Sequence, residues 1–451
     1  MKFNNIYFQH AGWYQVKRSR LLEKLKLPVL FFIFSLGWIL WFSTSLAAQP
    51  FSQPQRIDIK VFSGNDCYPD NLVAADLNGD GLIDIAATGF CRRFAVLFAD
   101  ASQPLHAGRF LSPKEVRLPD SAIGMAVIPS KTKALPFLVF SNCANPDSIP
   151  RQPRLQVVSM ETFKVVQDFP SGGKAPDDIA VADFNSDGLL DLLVGHWKGG
   201  TLSLLLGKEG GGFQVPANPS PQRISIGTEH WKIIPADFNN DGKLDVAFVV
   251  WTSSSDVKGR KGAVVVLLGD GKGGFDLSTM KSYPVDPETR SLAVADLDGD
   301  GKLDIAAANP GSGTKEDGSV LLLFGDGKGG FQPKTLTASD LGGGLLGPQG
   351  IVAADFDGDG RPDLALASRP LREEGHLYVL HNKGEGRFSL ADGQALPLGP
   401  GSRVSQLGFR PIIAADLNGD GMPDLAVTNQ ELKTVSIFFN TTHTPMKSAM
   451  P

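Results

Sequence analysis

The sequence predicts an all-β fold: a seven-bladed β-propeller of four-stranded blades, six with an acidic turn between their first two strands and one degenerate. Three observations predict it. The pattern D-x-[DN]-x-D-G-x-x-D occurs six times, starting at Asp76, Asp183, Asp237, Asp296, Asp355 and Asp416. Short apolar runs flank every copy. A second repeated phrase, made of an apolar run, a Gly-rich turn and a Phe, follows several of them. Self-similarity at a fixed period marks an array of supersecondary units, and four short strands per unit point to propeller blades.

Residues 1–50 stand outside the repeats. Lys17, Arg18, Arg20, Lys24 and Lys26 form a basic stretch, and Pro28 to Phe42 is apolar. Ser45-Leu46-Ala47 resembles a small-x-small cleavage site. Leu27 to Leu46 is also long enough to span a bilayer. Residues 1–47 are therefore read as a signal peptide or an N-terminal signal anchor. Either way the rest is exported, to an extracellular, periplasmic or cell-surface place, and meets a membrane only through an uncleaved anchor. With no Cys beside the cleavage site, lipid anchoring there is not expected. Residues 51–440 are read as one propeller domain and 441–451 as a disordered tail.

QRIDIKVF (55–62) precedes the first repeat without a partner of its own, and the last repeat ends after VSIFF (435–439) without a fourth strand. The first run is expected to complete the last blade, closing the ring and removing an exposed edge. Around the first acidic turn the chain reads LVAAD and DIAAT, around the third IIPAD and DVAFV, around the fifth IVAAD and DLALA. Such runs bounded by Gly and Asp read as buried strands, and their many Ala residues suit a crowded inner strand. The interval from Asp76 to Asp183 is about twice the others. Near its middle lies MAVIPSKTKALPFLVFS (125–141), read as a blade that keeps its hairpin and lacks the acidic turn. VVVLLGDGKGGF (264–275) and VLLLFGDGKGGF (320–331), with looser copies at 202–213 and 377–388, are read as third strand, turn and start of the fourth.

Alternating carboxylates, then Gly and a further Asp, are what a hard cation needs from a short loop. Side chains at the first, third, fifth and ninth positions can converge, and the Gly at position six allows a sharp reversal. The candidate ligands are Asp76, Asn78, Asp80 and Asp84; Asp183, Asn185, Asp187 and Asp191; Asp237, Asn239, Asp241 and Asp245; Asp296, Asp298, Asp300 and Asp304; Asp355, Asp357, Asp359 and Asp363; and Asp416, Asn418, Asp420 and Asp424. Up to six Ca2+ are expected. An EF-hand is excluded, because position twelve reads Ala87, Val194, Phe248, Ala307, Leu366 and Val427 where that loop needs a Glu.

These motifs resemble the FG-GAP/VCBS repeat family, to which the integrin α-chain head belongs, over residues 55 to 440. The resemblance implies calcium loops on one face of the propeller and ligands on the other. It assigns the four side chains of each intact copy as calcium ligands and none at 128–136. No leg domain or membrane span follows in this sequence, so integrin-type signalling is not expected.

The formal net charge is −5. Removing the basic export segment makes it more negative, yet twenty Asp sit in the six turns and six Ca2+ would more than offset it. The acidity is stored at metal sites, and no basic stripe suggests nucleic acid. Without a cation three or four carboxylates crowd each turn and repel, so folding is expected to depend on metal. Of the three cysteines, Cys67 pairs first with Cys91 in this reading and Cys91 with Cys143 second. Three free thiols are the plain alternative.

The loops opposite the acidic turns vary most in length, and variable loops on a rigid scaffold are the default binding face. A protein or glycan ligand is expected there, making the chain a binding or adhesion module. Trp197, Trp231 and Trp251 are the Trp left after the export segment, with His196 and His230 beside two of them. Counting from the turn makes Trp231 and Trp251 cross-strand neighbours. They read as a stacking platform for a sugar or anchor side chain, or as filling between two blades. Asp70, Asp177, Arg290, Arg369 and Arg410 share one ring of positions, either orienting a ligand or forming an ordinary solvated rim. There is no G-x-S-x-G elbow and no H-E-x-x-H. The alternative reading is a polysaccharide lyase or hydrolase in the central cleft, with His230 beside Arg290 or Arg410.

Overall fold

A computed structural model of the chain describes residues 56–442 apart from 64–66, 101, 103–109, 131–133, 143–152, 198, 215–222, 227–228, 252–260, 312–317, 342–344, 346, 369–373, 391–394 and 399–410. The export segment read at 1–47, the tail from 443 and Cys143 lie outside the described residues. Among the described residues no helix is long and apolar enough to cross a membrane.

The fold is all-β, and neighbouring strands pair antiparallel. Six sheets form among the described residues. Five are blade-sized. One contains Pro176–Ala182, Asp191–His196, Thr201–Gly207 and Phe213–Gln214, with Arg223–Ser225 added beside the third. The next is Glu229–Ala236, Asp245–Trp251, Gly262–Leu267 and Lys281–Val285. Then come Leu292–Ala295, Asp304–Asn309, Ser319–Gly325 and Phe331–Thr337. Pro348–Ala354, Asp363–Ser368, His376–Asn382 and Phe388–Leu390 follow, with Leu396–Pro397 also on the third strand. The fifth is Ile412–Ala415, Asp424–Asn429, Thr434–Phe438 and, from the other end of the chain, Arg56–Lys60.

That last pairing runs from Arg56 opposite Phe438 to Lys60 opposite Thr434, so the two ends of the domain are hydrogen-bonded into one sheet as expected. Ser436 Oγ reinforces it by donating to Asp58 at 2.6 Å.

The expected seven four-stranded blades do not form. The sixth sheet has seven strands: Asn71–Ala75, Asp84–Thr88, Cys91–Leu97, Lys114–Ile128, Phe137–Asn142, Arg154–Ser159 and Lys164–Pro170. The reason is Lys114–Ile128, one strand of 15 residues that pairs with Cys91–Leu97 through its first part and Phe137–Asn142 through its second. Dividing the long interval in two presumed a break there. The register shifts between Ala122 and Met125 bend the strand instead of ending it. The bend folds the sheet on itself: Phe94, Val96 and Ala86 from one half pack with Phe140, Leu138 and Val158 from the other.

Between sheets the cores are shared. Ile234, Ala247 and Val264 meet Leu292, Ile305 and Leu321 across one boundary, and Leu364, Leu366 and Leu380 meet Ala306, Leu322 and Leu336 across the next. Ala86, Ala87, Ala306, Ala307, Ala365, Ala367 and Ala426 are fully buried on second strands. Small side chains there let neighbouring sheets approach closely at native packing density. Cys67 and Cys91 form a disulfide, with Cα atoms 5.3 Å apart, in the core shared by the first and last sheets.

Candidate metal centre

Each acidic turn joins a first strand to a second, and all six are built alike. The Gly at position six has φ between 81° and 88° in every copy, as the tight reversal requires. Position four is also left-handed: Gly79, Ser186, Asn240, Gly299, Gly358 and Gly419 have φ from 57° to 85°. With two left-handed residues, backbone N–H groups point into the turn. The first Asp collects them. Its Oδ2 accepts from the N–H of Gly81, Gly188, Gly242, Gly301, Gly360 and Gly421 at 2.8 to 2.9 Å. The fifth Asp accepts from position seven in the same way, as Asp80 does from Leu82 at 2.9 Å and Asp187 from Leu189 at 2.7 Å.

The ninth Asp is different. Asp84, Asp191, Asp245, Asp304, Asp363 and Asp424 are all fully buried. One oxygen accepts from the N–H of the turn's second residue: Leu77, Phe184, Phe238, Leu297, Phe356 or Leu417, at 2.7 to 3.1 Å. The other accepts an N–H at or just past the end of the third strand: Ala99, Gly207, Gly269, Gly325, Asn382 or Asn440, at 2.6 to 2.8 Å. The residue that sequence reasoning gave only a ligand role thus also ties turn to sheet.

The donor chemistry fits a hard cation. A carboxylate has four lone-pair sites, so each Asp that accepts one or two N–H groups still has oxygen to offer. Asp296, Asp298 and Asp300 bring oxygens within 4.8 Å of one another, and Asp355, Asp357 and Asp359 do the same. The electrostatics point the same way. Burial, outweighing two backbone N–H donors, pushes Asp84 up to about 7, Asp191, Asp245 and Asp304 to about 6, and Asp424 to about 8. The neighbouring turn carboxylates add to the rise. A positive charge in the turn would remove that cost. In three turns a basic side chain at position seven already leans on the fifth Asp: Lys243 on Asp241 at 3.2 Å, Lys302 on Asp300 at 2.6 Å, and Arg361 on Asp359. These pairs are exposed and contribute little.

Two further features escaped sequence reasoning. Asn382 Nδ2 donates to Leu297 O at 2.9 Å, and Asn440 Nδ2 donates to Phe356 O at 2.8 Å. Each Asn reaches the turn of the preceding sheet, so consecutive acidic turns are stapled together. The only signal was an Asn where other repeats have Gly or Ala. His381 is the second, with Nδ1 3.3 Å from Asp363 Oδ2. Burial pulls its pKa down, but Asp363 and Asp357 outweigh that and raise it.

The Trp cluster is internal. Trp231 and Trp251 are 6% and 2% exposed and belong to the core between two sheets, with Trp197 partly buried against it. They are not directly opposite, as turn counting had placed them. A bulge at Lys232, φ 43°, sets Trp231 opposite Val249 and Glu229 opposite Trp251. Their ring centroids still lie 5.0 Å apart, tilted by 43°. The guanidinium carbon of Arg290 lies over the two rings, 4.7 and 4.9 Å from their centroids, and the guanidinium pairs with Glu288 at 2.9 Å. Trp251 Nε1 donates to Thr289 O at 3.0 Å. His196 is fully buried, with Nε2 3.0 Å from Ser203 Oγ. Asp70, Asp177 and Arg290 are buried as well. The side chain of His230, together with Arg369 and Arg410, lies outside the described residues.

The model of the FG-GAP-like repeat matches residues 183–248, 312–366 and 355–427, and that of the FG-GAP repeat matches 289–323. The chain is 28% identical over 214 residues to integrin alpha pat-2 of Caenorhabditis briggsae, covering 42% of this chain and 17% of that protein. It is 30% identical over 154 residues to the phosphatidylinositol-glycan-specific phospholipase D of Rattus norvegicus, covering 31% of this chain and 18% of that one. The alignments thus span under a fifth of these relatives. Among solved structures it is similar to BBS1N, crystallised in complex with ARL6DN, with a TM-score of 0.51 and 12% identity over 86% of this chain and 98% of that chain. At that identity the likeness concerns the fold alone.

Proposed function

We propose, from the premise that this chain belongs to the FG-GAP repeat family, that it is an exported, calcium-stabilised β-propeller. Its role is that of a binding or adhesion module for a protein or glycan. One observation carries the calcium half of this reading. Six turns of one design place a buried ninth Asp against two backbone N–H groups and further carboxylate or amide oxygens around the same turn. Calcium supplies the charge that lets these oxygens share a turn. The chain's own residues do the rest: the left-handed positions aim N–H groups inward, and the ninth Asp transmits order from turn to third strand. Each filled site stabilises by RT ln(1 + [L]/Kd), about 2.7 kcal/mol at a hundredfold excess over Kd. Extracellular calcium suits such sites, which supports an exported protein.

The binding half rests on topology. The turns occupy one end of their hairpins, so the second-to-third-strand connections lie at the other end, where a ligand would meet loops on a rigid frame. The relatives include an integrin alpha chain, and a structure of the same fold was solved with a protein partner. The buried Trp pair offers a ligand little surface, which favours these loops over the rings as the contact.

Two measurements test the reading. Chelation should lower the melting temperature, and elemental analysis should find several calcium ions per chain. Calcium-loaded protein should then capture a ligand on a glycan array or from envelope proteins, and lose it with chelator. Unchanged melting together with no bound calcium would overturn the proposal.

A further inference from the structure

Among the described residues, the fifth acidic turn alone has an imidazole nitrogen beside its carboxylates. Just before the residue whose N–H closes the ninth Asp, the six repeats read Phe98, Leu206, Leu268, Phe324, His381 and Phe439. Five are apolar. The exception, His381, is the penultimate residue of His376–Asn382, where it pairs with Ser389 beside its own turn. Its Nδ1 stands 3.4 Å from Asp357 Oδ2 and 3.3 Å from Asp363 Oδ2. One donor atom from each of the three lies within 4.8 Å of the others. His381 is 8% exposed and Asp363 fully buried, so the arrangement is built into the turn end of the sheet.

Calcium takes oxygen ligands, whereas imidazole suits borderline transition ions such as zinc. Two ligand atoms each about 2.1 Å from zinc, at a tetrahedral angle, stand about 3.4 Å apart. His381 Nδ1 keeps that spacing from both carboxylates. Asp357 is only partly buried, which leaves an approach for the ion and for water. Asp357 also belongs to the all-oxygen grouping with Asp355 and Asp359, so an ion drawn by His381 competes with calcium for it.

We propose that Asp357, Asp363 and His381 form a mixed nitrogen–oxygen site that takes a zinc-class divalent transition ion in preference to calcium. The inference deepens the calcium reading and rests on it for the other five turns. The test uses the full chain, loaded with calcium, equilibrated with trace Zn2+ and dialysed. Both metals are counted by elemental analysis in the unmodified protein, His381→Phe and His381→Gln. Phe is the residue other repeats carry there, so that variant should fold, and its melting curve checks this. The expected result is about one Zn2+ per unmodified chain and its loss in both variants, which keep calcium in the other turns. Zinc affinity should fall more than about 100-fold, since losing even an outer-shell partner costs about 10–100-fold. Co2+ in place of Zn2+ should give a visible absorption band that His381→Phe abolishes. Equal zinc retention in all three proteins, with calcium bound, overturns the site and leaves the calcium reading intact. Zinc lost with His381 in a protein that binds no calcium does the reverse.

Discussion

The sharpest test of the turn design separates its two kinds of Asp. Asp304 is fully buried and accepts from Leu297 N–H and Gly325 N–H, both at 2.7 Å. With its carboxyl raised to about 6, it is largely ionised at neutral pH, so both bonds are charge-assisted. Hydrogen bonds to charged groups are worth roughly 1.5–3 kcal/mol each. Asp304→Ala strands two buried N–H groups whether or not an ion is present, at about 1–3 kcal/mol each, and relief of the buried charge offsets part of this, leaving a cost of about 1–4 kcal/mol in chelator. For one cooperative unit of this length that is a fall of about 1–5 °C in melting temperature. Asp300, at the fifth position of the same turn, meets Lys302 N–H at 2.9 Å and the Lys302 ammonium at 2.6 Å on the surface. Asp300→Ala should cost under about 1 kcal/mol in chelator. In calcium it should forfeit one site, about 2.7 kcal/mol at a hundredfold excess over Kd.

The assay is thermal unfolding of both variants in chelator and in saturating calcium. Asp304→Ala should be strongly destabilised in both buffers, and Asp300→Ala only in calcium. An Asp304→Ala protein that melts like the parent in chelator would mean that its two N–H bonds contribute nothing, and the staple argument would fail. An Asp300→Ala protein with an unchanged response to calcium would remove the cation from that turn.

Three further outcomes follow from the same geometry. The ninth-position carboxyls of Asp84, Asp191, Asp245, Asp304 and Asp424 titrate at about 6 to 8 when folded, above the ordinary carboxylate value. Protons therefore stabilise the metal-free fold, and its stability should fall as pH rises through that range while the gain from calcium grows; melting curves with and without chelator that run parallel would contradict this. Asn440→Ala removes donations to Phe356 O at 2.8 Å and Pro423 O at 3.2 Å and should cost about 1–3 kcal/mol in urea unfolding; an unchanged midpoint would mean the staple between turns is idle. Arg290→Lys keeps the charge but loses the guanidinium held over Trp231 and Trp251, and should cost about 1–2 kcal/mol by the same method, a null result assigning the Trp pair's stability to burial alone.

Much of this fold was legible because its punctuation is local. Gly81 and its five counterparts need φ near 85°, and an Asp at each alternate position must face the same turn, so the hairpins could be placed from the chain alone. Closure by Arg56–Lys60 was legible because both ends were short of a partner. The sheet count was not. A long interval with one acidic turn missing invited division into two equal units, but nothing between Lys114 and Ile128 forces a strand to end, and a bend there merges what spacing had separated. The Trp register failed for a similar reason: a single bulge residue, Lys232, has no signature in periodicity.

The least legible feature has the widest consequence. A ligand motif says which oxygens face an ion and nothing about what else they hold. One partner of each ninth Asp is a backbone N–H at or just past the end of the third strand, such as Ala99 for Asp84 and Gly269 for Asp245, and a backbone group has no letter in the sequence. Because one carboxylate serves both the turn and the third strand, filling the turn and pairing the sheet are coupled events. Asn382 and Asn440 extend the coupling to the preceding turns through Leu297 O and Phe356 O. Loss of a cation should then loosen more beyond its own loop in the last three acidic turns than in the first three, where the residue at or just past the end of the third strand is Ala99, Gly207 or Gly269 and has no side-chain amide to reach across. Hydrogen exchange measured after chelation should show that gradient as weaker protection in the strands that follow Asp304, Asp363 and Asp424. Uniform loss of protection across all six repeats would dissolve the coupling and leave six independent turns.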